Sequence, residues 1–224
     1  MRKFLRRLLF RPQAVVPPVP PTPPDAGDPY WANVVLLAFN ESGAGGSNNF
    51  ADQSAYARIL TPTTAPVWDA TGPPPGLESS ALFTGANQRI TTPHATPLYL
   101  DGDFTIEFFV KPSASLTDNA FILNKYTDYS YSYIQLYGHN GINTFYVADN
   151  TGALSHDGAA DGGSDGLADG VWAHVAVCVA SGVALTFVNG TQLGIAGTAA
   201  HPWGDTSHLL SIGNCASAGN LPYH

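Results

Sequence analysis

Charge is scarce in this sequence: Asp, Glu, Lys and Arg together make up 12% of its 224 residues, about half the share usual in globular proteins. Cations are scarcer still outside one short stretch. Five of the nine basic residues, Arg2, Lys3, Arg6, Arg7 and Arg11, lie within the first eleven positions, and no acid precedes Asp25. The remaining sequence sets four basic residues against 17 acids, a formal balance of 4 − 17 = −13. A basic groove for nucleic acid is thereby excluded from the main domain. Cysteine is limited to Cys178 and Cys215 with no C-x-x-C, so there is no disulfide framework. Cys178, inside the run VAVCVA, reads as a small buried hydrophobe.

Long apolar runs are missing as well. The longest early one is LLF (8–10), too short for a signal-peptide core or a membrane span. No extended helical period occurs and no internal repeat is found, which excludes a helical bundle and a propeller. The patterns HExxH, GxGxxG and the P-loop are absent.

What is abundant is turn chemistry and short β-patterned runs. Glycine numbers 23 and proline 18. Residues 1–11, MRKFLRRLLFR, would on a helix gather Phe4, Leu5, Leu8 and Leu9 on one face, with the basic residues largely elsewhere. They read as an anchoring segment (Arg2, Lys3, Phe4, Arg6, Arg7 and Arg11) for a membrane surface, nucleic acid or an acidic protein partner, or else as a solvated basic tail. Residues 12–27 follow as a proline-rich linker. Seven prolines in PQAVVPPVPPTPP favour a polyproline II spacer reaching roughly 40 Å.

From residue 28 to 224 the chain reads as one all-β domain. VVLLAF (34–39), ALF (81–83), FTIEFFV (104–110), AFILNKY (120–126), SYIQLY (132–137), INTFYVAD (142–149), VWAHVAVCVA (171–180), VALTFVNG (183–190), TQLGIA (191–196) and HLLSIGN (208–214) are predicted strands. FTIEFFV alternates, with Phe109 an extra aromatic on its second face, and Pro112 ends it. Ser181-Gly182 and Asn189-Gly190 are hairpin signals. Two packed antiparallel sheets follow from this pattern.

Candidate chemistry is sparse. Glu107 is the one acid inside a strong strand, and canonical glycoside hydrolysis needs two carboxylates, so no catalytic residue is assigned. His174 and Trp172 share a face by period two, and a packed histidine is the expectation. The loop SHDGAADGGSDGLADG (155–170) carries Asp157, Asp161, Asp165 and Asp169. It reads as a solvated loop or as a calcium site, although its spacing fits neither an EF-hand nor a repeated glycine-aspartate motif. No metal ligand and no other cofactor is assigned. Tyr126, Tyr129, Tyr131 and Trp203 lie in or beside loops. They are the candidate carbohydrate-binding residues, because an exposed ring stacks on the apolar face of a sugar.

Several elements resemble the concanavalin A-like jelly rolls of laminin G type, in the version found in bacteriophage structural proteins. These are DPYWANVVLLAFN (28–40), FADQSA (50–55), ALFTGANQRITTP (81–93), DGDFTIEFFVKP (101–112), GVWAHVAV (170–177), VALTFVNG (183–190) and LLSIGN (209–214). The resemblance implies a two-sheet antiparallel jelly-roll sandwich. It implies a non-enzymatic virion component, a capsid decoration, tail or fibre protein, displaying a lectin-like domain for host-surface glycans. The alternatives are a carbohydrate-binding module of a bacterial surface and, behind it, a glycoside hydrolase. Implied partners are other virion proteins through the N-terminal segment, surface glycans, and a second copy or other strand-completing partner. The last follows because the family's closing strand, of the form G-x-I-D-D-V-R-I, does not appear before NLPYH (220–224), which predicts an open sheet edge needing cover.

Overall fold

The computed structural model describes residues 3–5, 8–10, 31–38, 45–64, 66–74, 77–84, 88–112, 120–125, 133–139, 142–149, 151, 154–157, 167–198 and 202–213. Sixteen strands lie among them. In chain order they are β1 (Lys3–Leu5), β2 (Leu8–Phe10), β3 (Leu37–Ala38), β4 (Thr61–Thr63), β5 (Val67–Asp69), β6 (Ser80–Phe83), β7 (Arg89–Thr92), β8 (Phe104–Val110), β9 (Ala120–Asn124), β10 (Tyr133–His139), β11 (Ile142–Ala148), β12 (Leu154–Asp157), β13 (Ala173–Ala180), β14 (Val183–Val188), β15 (Thr191–Thr198) and β16 (Leu210–Ile212). Two single-turn 3-10 helices, Trp31–Asn33 and Thr96–Leu98, are the only helical elements among the described residues.

The strands form two antiparallel sheets, as expected. The larger runs β15-β14-β13-β8-β1-β6-β5, with β2 joining β8 to β3; the smaller runs β12-β11-β10-β9-β16-β7-β4. The core lies between them. On β8, Phe104, Ile106, Phe108 and Val110 are buried and the residues between them are half-buried, the period-two pattern of a sandwich strand. Val175, Val177 and Val179 of β13 meet them from the neighbouring strand, and Ile90, Ile122, Leu123, Ile134, Leu210 and Ile212 close the core from the smaller sheet. Both predicted hairpins form. Ser181-Gly182 and Asn189-Gly190 have φ of 51°, 77°, 50° and 80°, the paired left-handed conformation of type I′ turns that glycine at the second position favours.

Three expectations are corrected. Of the described residues of VVLLAF, 34–38, only Leu37–Ala38 is strand, although Val34, Val35 and Leu36 are fully buried. The stretch near 60–78, rich in Pro and Thr and left out of the predicted strands as loop, contains β4 and β5. Its anchor is Trp68, which is buried, donates from Nε1 to the Asn49 carbonyl at 3.1 Å and packs on Phe50 with ring centroids 5.0 Å apart.

The third correction concerns the N-terminal segment. Lys3 and Phe4, expected in an anchor standing apart from the domain, lie in β1. β1 pairs with β6 (Lys3↔Phe83, Phe4↔Leu82, Leu5↔Ala81) and with β8 (Leu5↔Val110). β2 continues along the same edge, with Leu9↔Glu107 and Phe10↔Ile106 on one side and Leu9↔Leu37 on the other. The residue pattern, with basic pairs between apolar runs, is closer to a helical period than to strand alternation; β8's second edge supplies the hydrogen-bonding partner an isolated segment lacks and draws it into strand. The second edge of β8 is thus paired by β1 and β2. Arg2, Arg6, Arg7 and Arg11 lie outside the described residues, as does the whole proline-rich linker, residues 12–27.

The element FADQSA folds around Asp52, which is buried. Its Oδ1 accepts the amides of Leu37 and Ser54, each at 2.9 Å; its Oδ2 accepts the Ser54 hydroxyl at 2.9 Å and the Arg58 amide at 3.0 Å. Arg58 Nε donates to the Val35 carbonyl at 3.0 Å. One carboxylate thus ties the buried 34–38 stretch to the loop that returns beside it. β16 leads into Gly213 of the element LLSIGN, at φ 100°, where a Cβ would run into the Phe83 ring and lie 2.9 Å from the Gln88 carbonyl oxygen. Asp52→Ala is expected to cost on the order of 2–4 kcal/mol in urea unfolding, because four donors lose a charged acceptor in a buried setting.

Candidate functional site

The outer face of the larger sheet is built by the second set of alternating residues on β8, β13 and β14. Thr105, Glu107 and Phe109 on β8 oppose Cys178, Ala176 and His174 on β13, and Cys178 and Ala176 in turn oppose Leu185 and Phe187 on β14. Trp172 and Lys111 continue the same rows beyond the strand ends. Ala176, the smallest of the group, lies between Glu107 and Phe187, so its row carries a carboxylate on one side and an aromatic ring on the other.

The groups at the upper end of this face touch one another. His174 Nε2 is 3.7 Å from Glu107 Oε2, with side-chain exposures of 35% and 25%. The Phe109 ring lies 4.9 Å from the His174 ring at 48°. Lys111 Nζ sits 5.9 Å from the Trp172 ring centroid, within cation–π range. Trp172 Nε1 donates to the Gly72 carbonyl at 2.9 Å, which fixes the indole against the loop after β5. The His174 amide donates to Asn189 Oδ1 at 3.0 Å, so the β14–β15 turn holds this end of β13. The result is a half-buried platform of two aromatic rings with a carboxylate, an imidazole and an ammonium beside them. Glu107 is the single carboxylate on β8, β13 and β14.

The sequence had placed Trp172 and His174 on one face and noted Phe109 as an extra aromatic. It had assigned none of them a binding role. Glu107 and His174 are 67 positions apart, and their juxtaposition follows from the register Ala176↔Glu107 and His174↔Phe109, which no local pattern encodes.

The sequence's own carbohydrate candidates fare differently. Tyr126, Tyr129 and Tyr131 lie outside the described residues. Trp203 is only 3% exposed and is joined to Leu100 by two backbone hydrogen bonds of 2.9 and 3.0 Å. It therefore packs into the rim of the core rather than offering a ring to solvent, which corrects that expectation. Cys178, expected to be buried, faces outward at intermediate exposure and accepts from Thr105 Oγ1 at 3.8 Å; Cys215 lies outside the described residues. In the calcium candidate loop, Leu154–Asp157 forms β12 and Asp169 is exposed in a turn, while Asp161 and Asp165 are not described. No cluster of three or more metal-ligating side chains occurs among the described residues. A formal G-x-S-x-G match, GGSDG at 162–166, also lies outside them.

Beside Trp203 the rim contains a buried cation. The Lys125 side chain has no exposed surface. Its Nζ donates to the Asp205 main-chain carbonyl, lies 3.1 Å from His94 Nδ1 and 3.4 Å from Asp205 Oδ1. Burial pushes the ammonium down to about 8 from 10.5. Burial, and then the charges of Lys125 and Arg58, hold His94 below its ordinary value, which keeps the imidazole neutral and able to accept from Lys125. Asp205 also accepts the amides of Ser207 and His208 at 3.2 and 2.8 Å and touches the His208 imidazole. The lysine pins the 203–208 loop to the end of β9.

Residues 84–223 match the family described as the concanavalin A-like lectin/glucanases superfamily, laminin G type. No curated protein matches the sequence. Among solved structures, domain 4 of AbnA, an extracellular arabinanase of Geobacillus stearothermophilus solved with arabinotriose, is 15% identical with a TM-score of 0.51 over 75% of this chain and 77% of that one. The binding domain of botulinum neurotoxin serotype D is 14% identical with a TM-score of 0.54 over 80% and 44%. The same serotype's ligand-binding domain in complex with N-acetylneuraminic acid is 13% identical with a TM-score of 0.50 over 75% and 44%. The chain spans less than half the length of these toxin domains, and at such identities the likeness is one of fold. No helix among the described residues is long and apolar enough to cross a membrane.

The buried lysine sets a pH dependence. The folded state binds the Lys125 proton less readily than the unfolded chain does, so between about pH 8 and 10.5 the unfolded state holds more protons and stability rises with pH. Urea midpoints measured across that window should rise for the native chain relative to Lys125→Met, which lacks the titrating group. Equal slopes for the two proteins would remove the buried ammonium as the cause.

Proposed function

Because the chain belongs to the concanavalin A-like lectin/glucanases superfamily, we propose that it is a non-catalytic glycan-binding module that takes its ligand on the outer face of the larger sheet. The observation that carries this reading is the meeting of Phe109, Trp172, Glu107, His174 and Lys111 on one half-buried platform. Aromatic rings stack on the apolar C–H face of a sugar, and polar groups beside them fix its hydroxyls. Glu107 accepts from hydroxyls, and Lys111 donates to them. The low charge of the domain suits a polyol better than a polyanion.

A single carboxylate on this face does not assemble the pair that canonical glycoside hydrolysis uses, which supports binding over turnover. Tyr126, Tyr129 and Tyr131, next to Lys125 in sequence, are proposed as further stacking rings at the rim. Two settings suit the module. An exported bacterial location is supported by the extracellular arabinanase domain that shares the fold. Display on a virion is supported by the motif order, which resembles phage structural proteins. Mass spectrometry of purified particles separates the two.

The test of binding is a glycan array probed with the full chain, followed by titration of the hits and of arabinotriose and N-acetylneuraminic acid. Phe109→Ala and Glu107→Gln should each weaken binding about tenfold or more, the loss of one stacking or charged hydrogen-bonding contact, with circular dichroism unchanged. No reducing sugar should be released. Absence of glycan binding at millimolar ligand, or full affinity in both variants, would sink the reading.

A further inference from the structure

We propose that the platform is one end of a track, along which a linear, uncharged oligosaccharide lies across the strands of the larger sheet, from Phe109 over Ala176 to a second stacking ring at Phe187. The inference rests on the glycan reading of the platform and adds the length and charge of the ligand. Phe187 belongs to the same outer face. Ala184, Thr186 and Val188 of β14 are buried, whereas Leu185 and Phe187 between them are half-buried. The registers His174↔Phe109 and Ala176↔Phe187 set Phe187 two strands across from Phe109 and two residues along, about 12 Å between Cα atoms. One sugar ring cannot lie on both aromatic rings; a chain of linked sugars reaches from one to the other.

The ground between the two rings suits a chain passing over it. Ala176 stands outside the core cluster, yet it is only 9% exposed, because the taller side chains of Glu107, His174 and Phe187 surround its methyl group. It is the low floor of the face, and a larger residue there would fill the path. The contact of Glu107 with His174 at 3.7 Å crosses the diagonal from Phe109 to Ala176, so a hydrogen-bonding pair lies between the rings. Beyond Phe187, its β15 partner Gln192 is exposed and ends the row with an amide donor and acceptor. Rings serve the C–H faces of the sugars, and the polar groups between and beyond them serve the hydroxyls. Charge sets the class of sugar. From Gly170 to Gly204 the sequence contains no Asp, Glu, Lys or Arg, so β13, β14 and β15 bring none to the face. Among the described residues the track therefore offers an acidic chain the Glu107 carboxylate and no lysine or arginine, since Lys111 stands apart at the Trp172 end. Like charge disfavours a carboxylated or sulfated ligand there.

The experiment is calorimetric titration of the full chain with xylo-, cello-, manno- and arabino-oligosaccharides of one to six units, with the array hits, and with oligogalacturonate of matching lengths as the acidic probe. The unaltered chain should bind its preferred neutral series about tenfold or more tightly at the tetrasaccharide than at the disaccharide, the gain of a second stacking ring, with no further rise beyond the length that spans both rings. Oligogalacturonate should bind more weakly than the neutral chain of the same length. Phe187→Ala and Ala176→Leu should each flatten the rise with length while circular dichroism stays unchanged. Equal affinity at every length, tighter binding of the acidic series, or a rise that persists in both variants overturns the track and leaves the platform standing. If the array and every titration are blank, the glycan reading falls and this inference with it.

Discussion

The hydrogen-bonding demand of β8's second edge is the constraint on which the larger sheet rests. A central strand cannot leave one row of amides and carbonyls without partners inside a sandwich. β13 serves one side; Lys3–Leu5 and Leu8–Phe10 serve the other. Everything beyond them, β6, β5 and β3, is attached to the sheet through that short segment. Trp68 on β5 and Phe83 on β6 both belong to the core, so the pairing of Lys3–Leu5 and Leu8–Phe10 backs that part of it. The same segment separates the two ends of the sheet functionally: the platform of Phe109 and Trp172 lies on the β13 side, and the loop that holds Trp172 through Gly72 comes from the β5 side.

Much of this was legible in sequence where the signal is local. The alternation of FTIEFFV, the apolar run of β13 and the Ser181-Gly182 and Asn189-Gly190 turns each encode their structure within a few residues, and all formed as read. The family resemblance also had physical content, since its F-x-D-x-S element turned out to be the Asp52 hub. What was not legible depends on pairing across the chain. By itself MRKFLRRLLFR reads as an amphipathic helix, and it is the presence of β8's edge that makes Lys3–Leu5 and Leu8–Phe10 strand. β4 and β5 hide in a Pro- and Thr-rich stretch because a three-residue strand is stabilised by its neighbours and by the burial of Trp68, not by propensity. The platform was missed for the same reason: each residue was noticed, and the register that assembles them was not available.

The scarcity of charge also has a structural side. The domain after the linker has four cations, and three lie against neighbours in the fold. Arg58 binds the Val35 carbonyl beside Asp52, Lys111 lies over Trp172, and Lys125 is sealed beneath the 203–208 loop. The balance of 4 − 17 = −13 already counts these cations, so holding Lys125 inside leaves still less positive charge facing solvent. Long-range attraction has little to work with, and recognition on the outer face falls to shape, ring stacking and directed hydrogen bonds.

The contact of Gly213 with Phe83 ties the two sheets at one corner, since Gly213 follows β16 in the smaller sheet and Phe83 ends β6 in the larger. With no side chain in the way, the ring rests directly on backbone, and the local gap between the sheets is set by the thickness of one aromatic ring. That makes the corner a mechanical stop. β16 runs beside β9, whose end leads into Lys125, and β6 runs beside β1. A side chain at position 213 would have to push that ring aside, so at this corner the spacing of the two sheets leaves room for backbone and one ring and nothing more.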